Sequence, residues 1–261
     1  MGNAEMQGQL WSARARAWAE LLEQPFTPVY SAAFDAAEVA AGTKLLDVGC
    51  GAGLALSIAQ HRGAEVSGVD AAPQLVEIAR SRCADAKIHV GELEELPFAD
   101  ASFEVVTGFN SFQYAADRVH ALQEARRVLK SDGRLVAAVW GQPENCEMGP
   151  YLAALGSLMP PPPPGAPGPW ALSPPGALEE LVERAALRPL SAHSVVIAFS
   201  FPDDDTASTG LMSSGPAVLA IQTSGEQAVA RAVIQAIAPF KQKDGSYSLQ
   251  NEFRFVVARS A

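Results

Sequence analysis

Cysteine is scarce in this chain, basic charge is outnumbered and long apolar runs are missing, and each shortage narrows what the molecule can do. The three cysteines, Cys50, Cys83 and Cys146, are far apart and odd in number, with no CxxC pair. Neither a disulfide framework nor a zinc site is indicated, no metal is expected, and a reducing cytoplasm is the expected location. Lys and Arg number 19 against 29 Asp and Glu, a net charge of -10, and no Lys/Arg cluster stands out. Nucleic acid and anionic membranes both select basic surfaces, so neither is expected as a partner. No apolar run is long enough to span a bilayer. The first thirty residues mix Glu, Arg and Gln with apolar residues, so no signal peptide is expected. No Ser-His-Asp arrangement, metal cluster or internal repeat is visible, and nothing indicates an oligomeric state.

What is present is a chain of 261 residues, 48% hydrophobic, enough for a packed core. Trp11, Ala15, Trp18, Leu21 and Leu22 recur at helical spacing and predict a helix over 6–23, with a second over 29–40. Lys44 to Val48 reads as a short buried strand ending in glycines. Helix 53–62, strand 65–69, helix 73–83, strand 87–90, strand 103–109, helix 117–130 and strand 134–140 follow. Strands separated by helices of this length imply βαβ units and a parallel sheet covered on both faces.

After Trp140 the regularity breaks. Nine of the sixteen residues from 160 to 175 are proline. That density excludes helix and central strand and predicts a stiff surface loop, an insertion over the sheet's rim rather than a linker between domains. Beyond it, 176–186 reads as a helix and 194–199 as a strand. A late helix carries Val229, Val233, Ile234 and Ile237. Asp244-Gly245 makes a turn, and Phe253, Phe255 and Val257 alternate in a last strand.

The segment from Leu45 to Gly53 carries the chemistry. A strand ends, glycines at 49, 51 and 53 turn the chain, and a helix begins. Its N-terminus offers free N–H groups and partial positive charge. Spacing narrows the ligand. A dinucleotide loop wants G-x-G-x-x-G, but position 54 is Leu and the third glycine is Gly53. Asp47 would crowd a pyrophosphate, and suits a cationic amino group instead. Asp70, ending the second strand, can take both hydroxyls of a ribose or cap the helix near Pro73.

These blocks resemble the class I S-adenosylmethionine-dependent methyltransferases, above all the small-molecule group of ubiquinone and menaquinone methyltransferases. The resemblance runs from about Trp11 to Trp140. Asp47 to Gly53 is similar to the family's first motif, Gly68-Val69-Asp70 to its second, and Gly91 to Phe98 to its adenine-binding "GDAExLPF" segment. Phe103 to Val106 is similar to the fourth strand, and Glu124 to Lys130 with Gly133 to "ExxRVLKPGG". Glu92 stands where the family has Asp, and Ser131-Asp132-Gly133 replaces Pro-Gly-Gly.

The resemblance implies an α/β, Rossmann-like, seven-stranded and mostly parallel sheet, with N-terminal helical and C-terminal cap elements. It divides the chain into an N-terminal helical lid (1–40), an S-adenosylmethionine-binding core (41–140), a Pro-rich insertion and cap (141–190), and C-terminal strands and helices completing sheet and cap (191–261). It implies that Gly49, Cys50, Gly51 and Gly53 form the loop against the methionine portion. Asp70 holds the ribose with Ala71 and Gln74 nearby, and Glu92 and Leu93 read the adenine. Phe109, Asn110 and Ser111 border the transferable methyl. The expected product is S-adenosylhomocysteine.

The acceptor is expected to be an apolar or aromatic small molecule. Trp11, Trp18, Phe26, Tyr30, Trp140, Tyr151 and Trp170 lie in the segments that related enzymes fold above the cofactor. No Asn-Pro-Pro-Tyr-like segment marks the acceptor as an amide or exocyclic nitrogen. His193, at the start of a strand near the cap, is the one candidate general base, whereas Glu124 and Arg127 read as structural. Two other readings stay open: a non-catalytic module binding the same cofactor, and an NAD-dependent oxidoreductase.

Overall fold

The computed structural model describes residues 3–161 and 168–260. Pro162 to Pro164 and Pro167 of the expected proline loop lie outside them.

Seven strands form one sheet in the order β3-β2-β1-β4-β5-β7-β6. They are β1 (Lys44–Val48), β2 (Glu65–Asp70), β3 (Lys87–Val90), β4 (Phe103–Phe109), β5 (Leu129–Trp140), β6 (Leu187–Phe201) and β7 (Tyr247–Ser260). β7 pairs antiparallel with both β5 and β6, and all other pairings are parallel. The fold class read from the sequence is therefore what the chain adopts. Chain order reverses between β1 and β4, and open α/β sheets bind ligands beyond the strand ends at such a point.

Period-two alternation sorts the core. Leu45, Val136, Ala138, Phe253 and Phe255 point to one face, and Leu46, Val48, Leu135, Ala137 and Val256 to the other. The first face is covered by α3 (Thr27–Ala36), α4 (Leu54–His61), α5 (Pro73–Arg82) and the later helices α7 (Gly149–Ser157), α9 (Asp204–Leu211), α10 (Gly215–Ser224) and α11 (Glu226–Ile237). The second face carries α6 (Arg118–Val128) and α8 (Ala177–Arg184). Among the described residues no helix is long and apolar enough to cross a membrane.

The N-terminal helix expected over 6–23 is interrupted. It consists of α1 (Ala4–Ser12), a single turn α2 (Ala15–Ala17), and a π-turn over Trp18–Leu22. The break falls at Arg14, whose backbone leaves the helical region at φ -133° and whose guanidinium reaches Glu226 at 2.7 Å. Periodicity predicts the buried stripe but not the interruption at Arg14. The strand expected over 194–199 is the far end of β6, so the boundary expected between 190 and 191 lies inside that strand. β6 was underread because 188–196 is mostly exposed as an edge and lacks an apolar alternation. α9 and α10 were missed; half of α9 is Thr, Ser and Gly. Both are started by side-chain caps, Asp203 on the Thr206 N–H and Ser214 on the Ala217 N–H.

Candidate functional site

The glycine loop leaves β1 with Gly49, Gly51 and Gly53 all in the left-handed region, at φ +80°, +53° and +81°. Gly49 has a second reason to lack a side chain: a Cβ there would stand 2.3 Å from the Ser111 Cβ, because the loop after β4 lies against it. Gly53 opens α4 and packs on Ala79, which a Cβ would meet at 2.8 Å. At Gly51 a Cβ would meet the Glu23 carboxylate at 3.7 Å and the Trp18 indole nitrogen at 3.8 Å, ordinary contact distances.

Asp70 locks this geometry. One carboxylate oxygen accepts the Gly51 N–H and the other the Ala72 N–H, each at 2.8 Å. Asp70 faces the cavity and holds the Ala72 N–H just ahead of α5, whose N-cap is Ala72 with no side-chain cap bond. Burial pushes its carboxyl up, opposed by the two N–H groups. Asp47 lies beneath the loop, 2% exposed, accepting the Thr107 hydroxyl at 2.7 Å. Burial, with the negative charges of Asp70 and Glu23, raises it to about 7. Glu23 is a third carboxylate here, and the sequence did not single it out. Arg82 pairs with it while also donating to the Ala52 and Ala19 carbonyls.

A single cavity runs along the carboxyl ends of the strands, from Asp70 on β2 to Phe199 on β6. That is five strand spacings, roughly 24 Å. At one end its wall includes Gly49, Gly51, Asp70, Ala71 and Leu93; in the middle Phe109, Asn110 and Ser111; at the far end Tyr30, Trp140 and Tyr151. Trp11 and Trp18, with ring centroids 4.9 Å apart edge to face, form the roof from the N-terminal segment.

Six residues expected at the site are placed elsewhere. The Cys50 side chain turns down onto Gly68, whose position it would crowd at 2.9 Å, and Gly53 is spent on helix packing. Gln74 and Glu92 are exposed and outside the cavity wall. Glu92 directs nothing inward, and Leu93 alone of that pair reaches the cavity. His193 is exposed on β6, stacked on Phe255 and bonded to the Ser191 hydroxyl. Six residues separate it from Phe199, about 20 Å of strand, so it is no base for this cavity. Trp170 packs on Trp140 at 5.8 Å, behind the wall. Glu124 and Arg127 form a two-pronged pair that also binds the backbone of Leu96 and Phe98, the structural role read from the sequence.

Sequence reasoning missed Gln7, Leu22, Gln113, Tyr114, Met148, Ser214 and others on the wall. They come from five separate segments, and only tertiary folding assembles them.

The wall also shows that a polar ligand fits. Asn110 Oδ1, Ser111 Oγ and Gln113 Oε1 are buried without a hydrogen-bond partner, all on the stretch after β4. Asn110 sits at φ +53°, a backbone conformation that non-glycine residues seldom adopt. Buried unpaired polar atoms and a strained residue beside a glycine loop make a cradle for hydrogen-bonding groups. Among the described residues neither Asp70 at that cradle nor Asp47 beneath it has a cationic partner, which favours a positively charged ligand.

Comparison with known proteins agrees with this geometry. Residues 46–137 match the family model of a methyltransferase domain. A demethylmenaquinone methyltransferase of Thermotoga maritima is 38% identical over 95 residues, 36% of this chain and 42% of that protein. A ubiquinone/menaquinone biosynthesis C-methyltransferase of Citrifermentans bemidjiense is 36% identical over 109 residues, 38% of this chain and 46% of that one. The matched stretch thus spans less than half the length of either relative. Among solved structures, a [4+2]-cyclase superposes with a TM-score of 0.63 at 17% identity, covering 98% of this chain and 96% of its own. A putative methyltransferase complexed with the Haloferax volcanii Trm112 activator gives 0.59 at 23% identity, covering 96% of each. Those two likenesses concern the fold. The sequence likeness over 46–137 bears out the resemblance to class I S-adenosylmethionine-dependent methyltransferases, over the segment that holds the glycine loop, Asp70 and β4.

Proposed function

We propose that the protein is an S-adenosylmethionine-dependent methyltransferase acting on a small apolar or aromatic molecule. The observation that carries this reading is the cradle itself: a left-handed glycine loop pressed on Ser111, Asp70 beside it, and three unpaired polar atoms opposite, all opening into an aromatic chamber.

When bound, S-adenosylmethionine supplies a methyl group on a sulfonium, an electrophile already activated. The protein's part is then placement, exclusion of water and electrostatic support. Asp70 is positioned for the ribose, Leu93 for the adenine, and the Gly49–Gly51 backbone with Asn110 and Ser111 for the methionyl end. Asp47 acts through the loop above it, adding negative charge that favours a cationic end. Trp11 and Trp18 roof the cavity, so the segment 1–40 serves as a lid, and α7 supplies the opposite side through Met148, Tyr151 and Leu152. The acceptor occupies the chamber between Tyr30, Trp140 and Phe199.

The fold alone fixes no reaction, as the superposition on a cyclase makes plain. Methyl transfer from labelled S-adenosylmethionine to a panel of aromatic small molecules tests the proposal. Label in an organic-extractable product supports it. Tight cofactor binding with no transfer across the panel would favour the non-catalytic module.

A further inference from the structure

The acceptor end of the cavity has an unusual chemical inventory. No His, Lys, Arg or Cys lines the cavity among the described residues. Of the carboxylates, Asp70 has both oxygens occupied by N–H groups, and Glu94 accepts the Ala116 and Asp117 N–H groups. Asp47 and Glu23 are off the wall, held by Thr107 and Arg82. Among the described residues the wall carboxylate oxygen left without a partner is Glu94 Oε2, next to Leu93 at the cofactor end, so none at the acceptor end is placed to take a proton.

Five hydroxyls line the wall, those of Tyr30, Ser111, Tyr114, Tyr151 and Ser214; Ser111 lies against the Gly49 turn and Tyr114 packs on Trp11 in the roof. Tyr151 donates to the Leu211 carbonyl at 2.7 Å and bonds Ser214 at 2.9 Å, and Ser214 in turn caps α10. Both are spent on holding α7 against the C-terminal helices. Tyr30 differs. It is 7% exposed, lies on the cavity wall, and its ring meets the edge of Phe109 at 4.6 Å. Its hydroxyl has no hydrogen-bond partner among the described residues. Burial and the nearby negative charges of Glu23 and Asp47, only partly offset by Arg82, hold its proton in place. Tyr30 is therefore a donor and not a base.

We infer that Tyr30 binds the methyl acceptor, and that this acceptor is an apolar phenol or enol conjugated with a carbonyl-like group, bound as its delocalised oxyanion. The inference rests on the methyl-transfer reading. An aliphatic alcohol or alkylammonium must lose a proton to attack, and finds no acceptor for it here. A localised carboxylate is strongly hydrated and is costly to bury without a cationic side chain. A delocalised oxyanion needs no base and loses less hydration, and the sulfonium that the Asp47 and Asp70 carboxylates favour offsets its charge. One of its oxygens takes the Tyr30 hydrogen bond while the other attacks. The attacking lone pair forms the oxygen–carbon bond, and the sulfur–carbon pair returns to sulfur. Anion and sulfonium thereby become two neutral products, with no proton to remove.

The test uses the whole protein loaded with sinefungin, a non-transferable analogue carrying a cationic amine in place of the sulfonium methyl. Three probes differ only in their acidic group: 4-nitrophenol, 4-nitrobenzoate and 4-nitrobenzyl alcohol. Calorimetry measures each, and the visible band of 4-nitrophenol reports its protonation state when bound. Expected is 4-nitrophenol bound as the yellow phenolate, at least tenfold tighter than the other two. Tyr30→Phe should weaken it by about tenfold to a hundredfold, the scale for a hydrogen bond to a charged group, and leave the alcohol nearly unmoved. Unchanged sinefungin affinity in Tyr30→Phe shows that the variant is folded. Tighter binding of the alcohol or benzoate, a colourless bound nitrophenol, indifference to Tyr30→Phe, or sinefungin binding with no probe bound would each overturn the inference while leaving methyl transfer standing. No binding of sinefungin would instead remove the methyl-transfer reading, and this inference with it.

Discussion

Glu23 and Arg82 join the N-terminal segment to the glycine loop. Glu23 is 3% exposed, and the guanidinium that pairs with it also holds the carbonyls of Ala52 and Ala19, at 3.0 and 3.2 Å. The roof over the cavity and the loop beneath it are thus fastened by a single side chain. Arg82→Met leaves a buried carboxylate unpaired. The Arg82 side chain is 25% exposed, so the expected loss is about 2–3 kcal/mol, below the ~3–5 of a fully buried pair. Urea unfolding gives the loss directly. A variant as stable as the wild type would show that the pair fastens nothing.

Asp70→Ala removes both the ribose partner and the clamp on the Gly51 and Ala72 N–H groups. Cofactor affinity should fall by about 1.5–3 kcal/mol, the scale for charge-assisted hydrogen bonds. Unchanged affinity by calorimetry would reduce Asp70 to a clamp on those two N–H groups.

The glycines should not be equivalent. Gly49→Ala drives a Cβ to 2.3 Å from the Ser111 Cβ, whereas at Gly51 the nearest atom is 3.7 Å away. Gly49→Ala should therefore destabilise the free protein by about 1–3 kcal/mol through overpacking. Both variants also carry about 1–2 kcal/mol for a left-handed alanine, so Gly51→Ala should lose that alone and act mainly on ligand binding. Equal melting temperatures for the two variants would contradict this ordering.

Asp47 predicts a pH dependence. Its carboxyl moves from 3.8 to about 7 on folding, so between those values the native state holds a proton that the unfolded chain has lost. Stability contributed at low pH is then lost as pH rises from about 4 to 7. A cationic methionyl end favours the carboxylate, so cofactor binding near pH 7 should release a proton and tighten from pH 6 to 8. Calorimetry in buffers of different ionisation enthalpy counts that proton. Asp47→Asn should abolish both effects, and persistence of the proton release in that variant would rule Asp47 out as its source.

The legibility of this molecule in its sequence varied with distance. The βαβ order, the glycine loop and Asp70 could be read because each depends on neighbours a few residues away: period-two strands, positive-φ glycines, a carboxylate at a strand end. Trp11 and Trp18 were legible as a helical stripe, yet the Arg14 pair with Glu226, 212 positions away, was not. Cys50 and Gln74 stand beside true wall residues in sequence. Their side chains point elsewhere because successive residues diverge in a tight loop and lie about 100° apart around a helix. His193 looked available because it begins a polar stretch, but the stretch is the exposed end of a long edge strand. Glu23 has no local signature at all, since its partner lies 59 positions on.

The most direct test of the central claim is a calorimetric titration of the purified protein with S-adenosylmethionine and, separately, with NAD. The account predicts one micromolar site per chain for S-adenosylmethionine, weakened at least tenfold in Asp70→Ala, and no heat from NAD. Binding of NAD with no response to S-adenosylmethionine would contradict it.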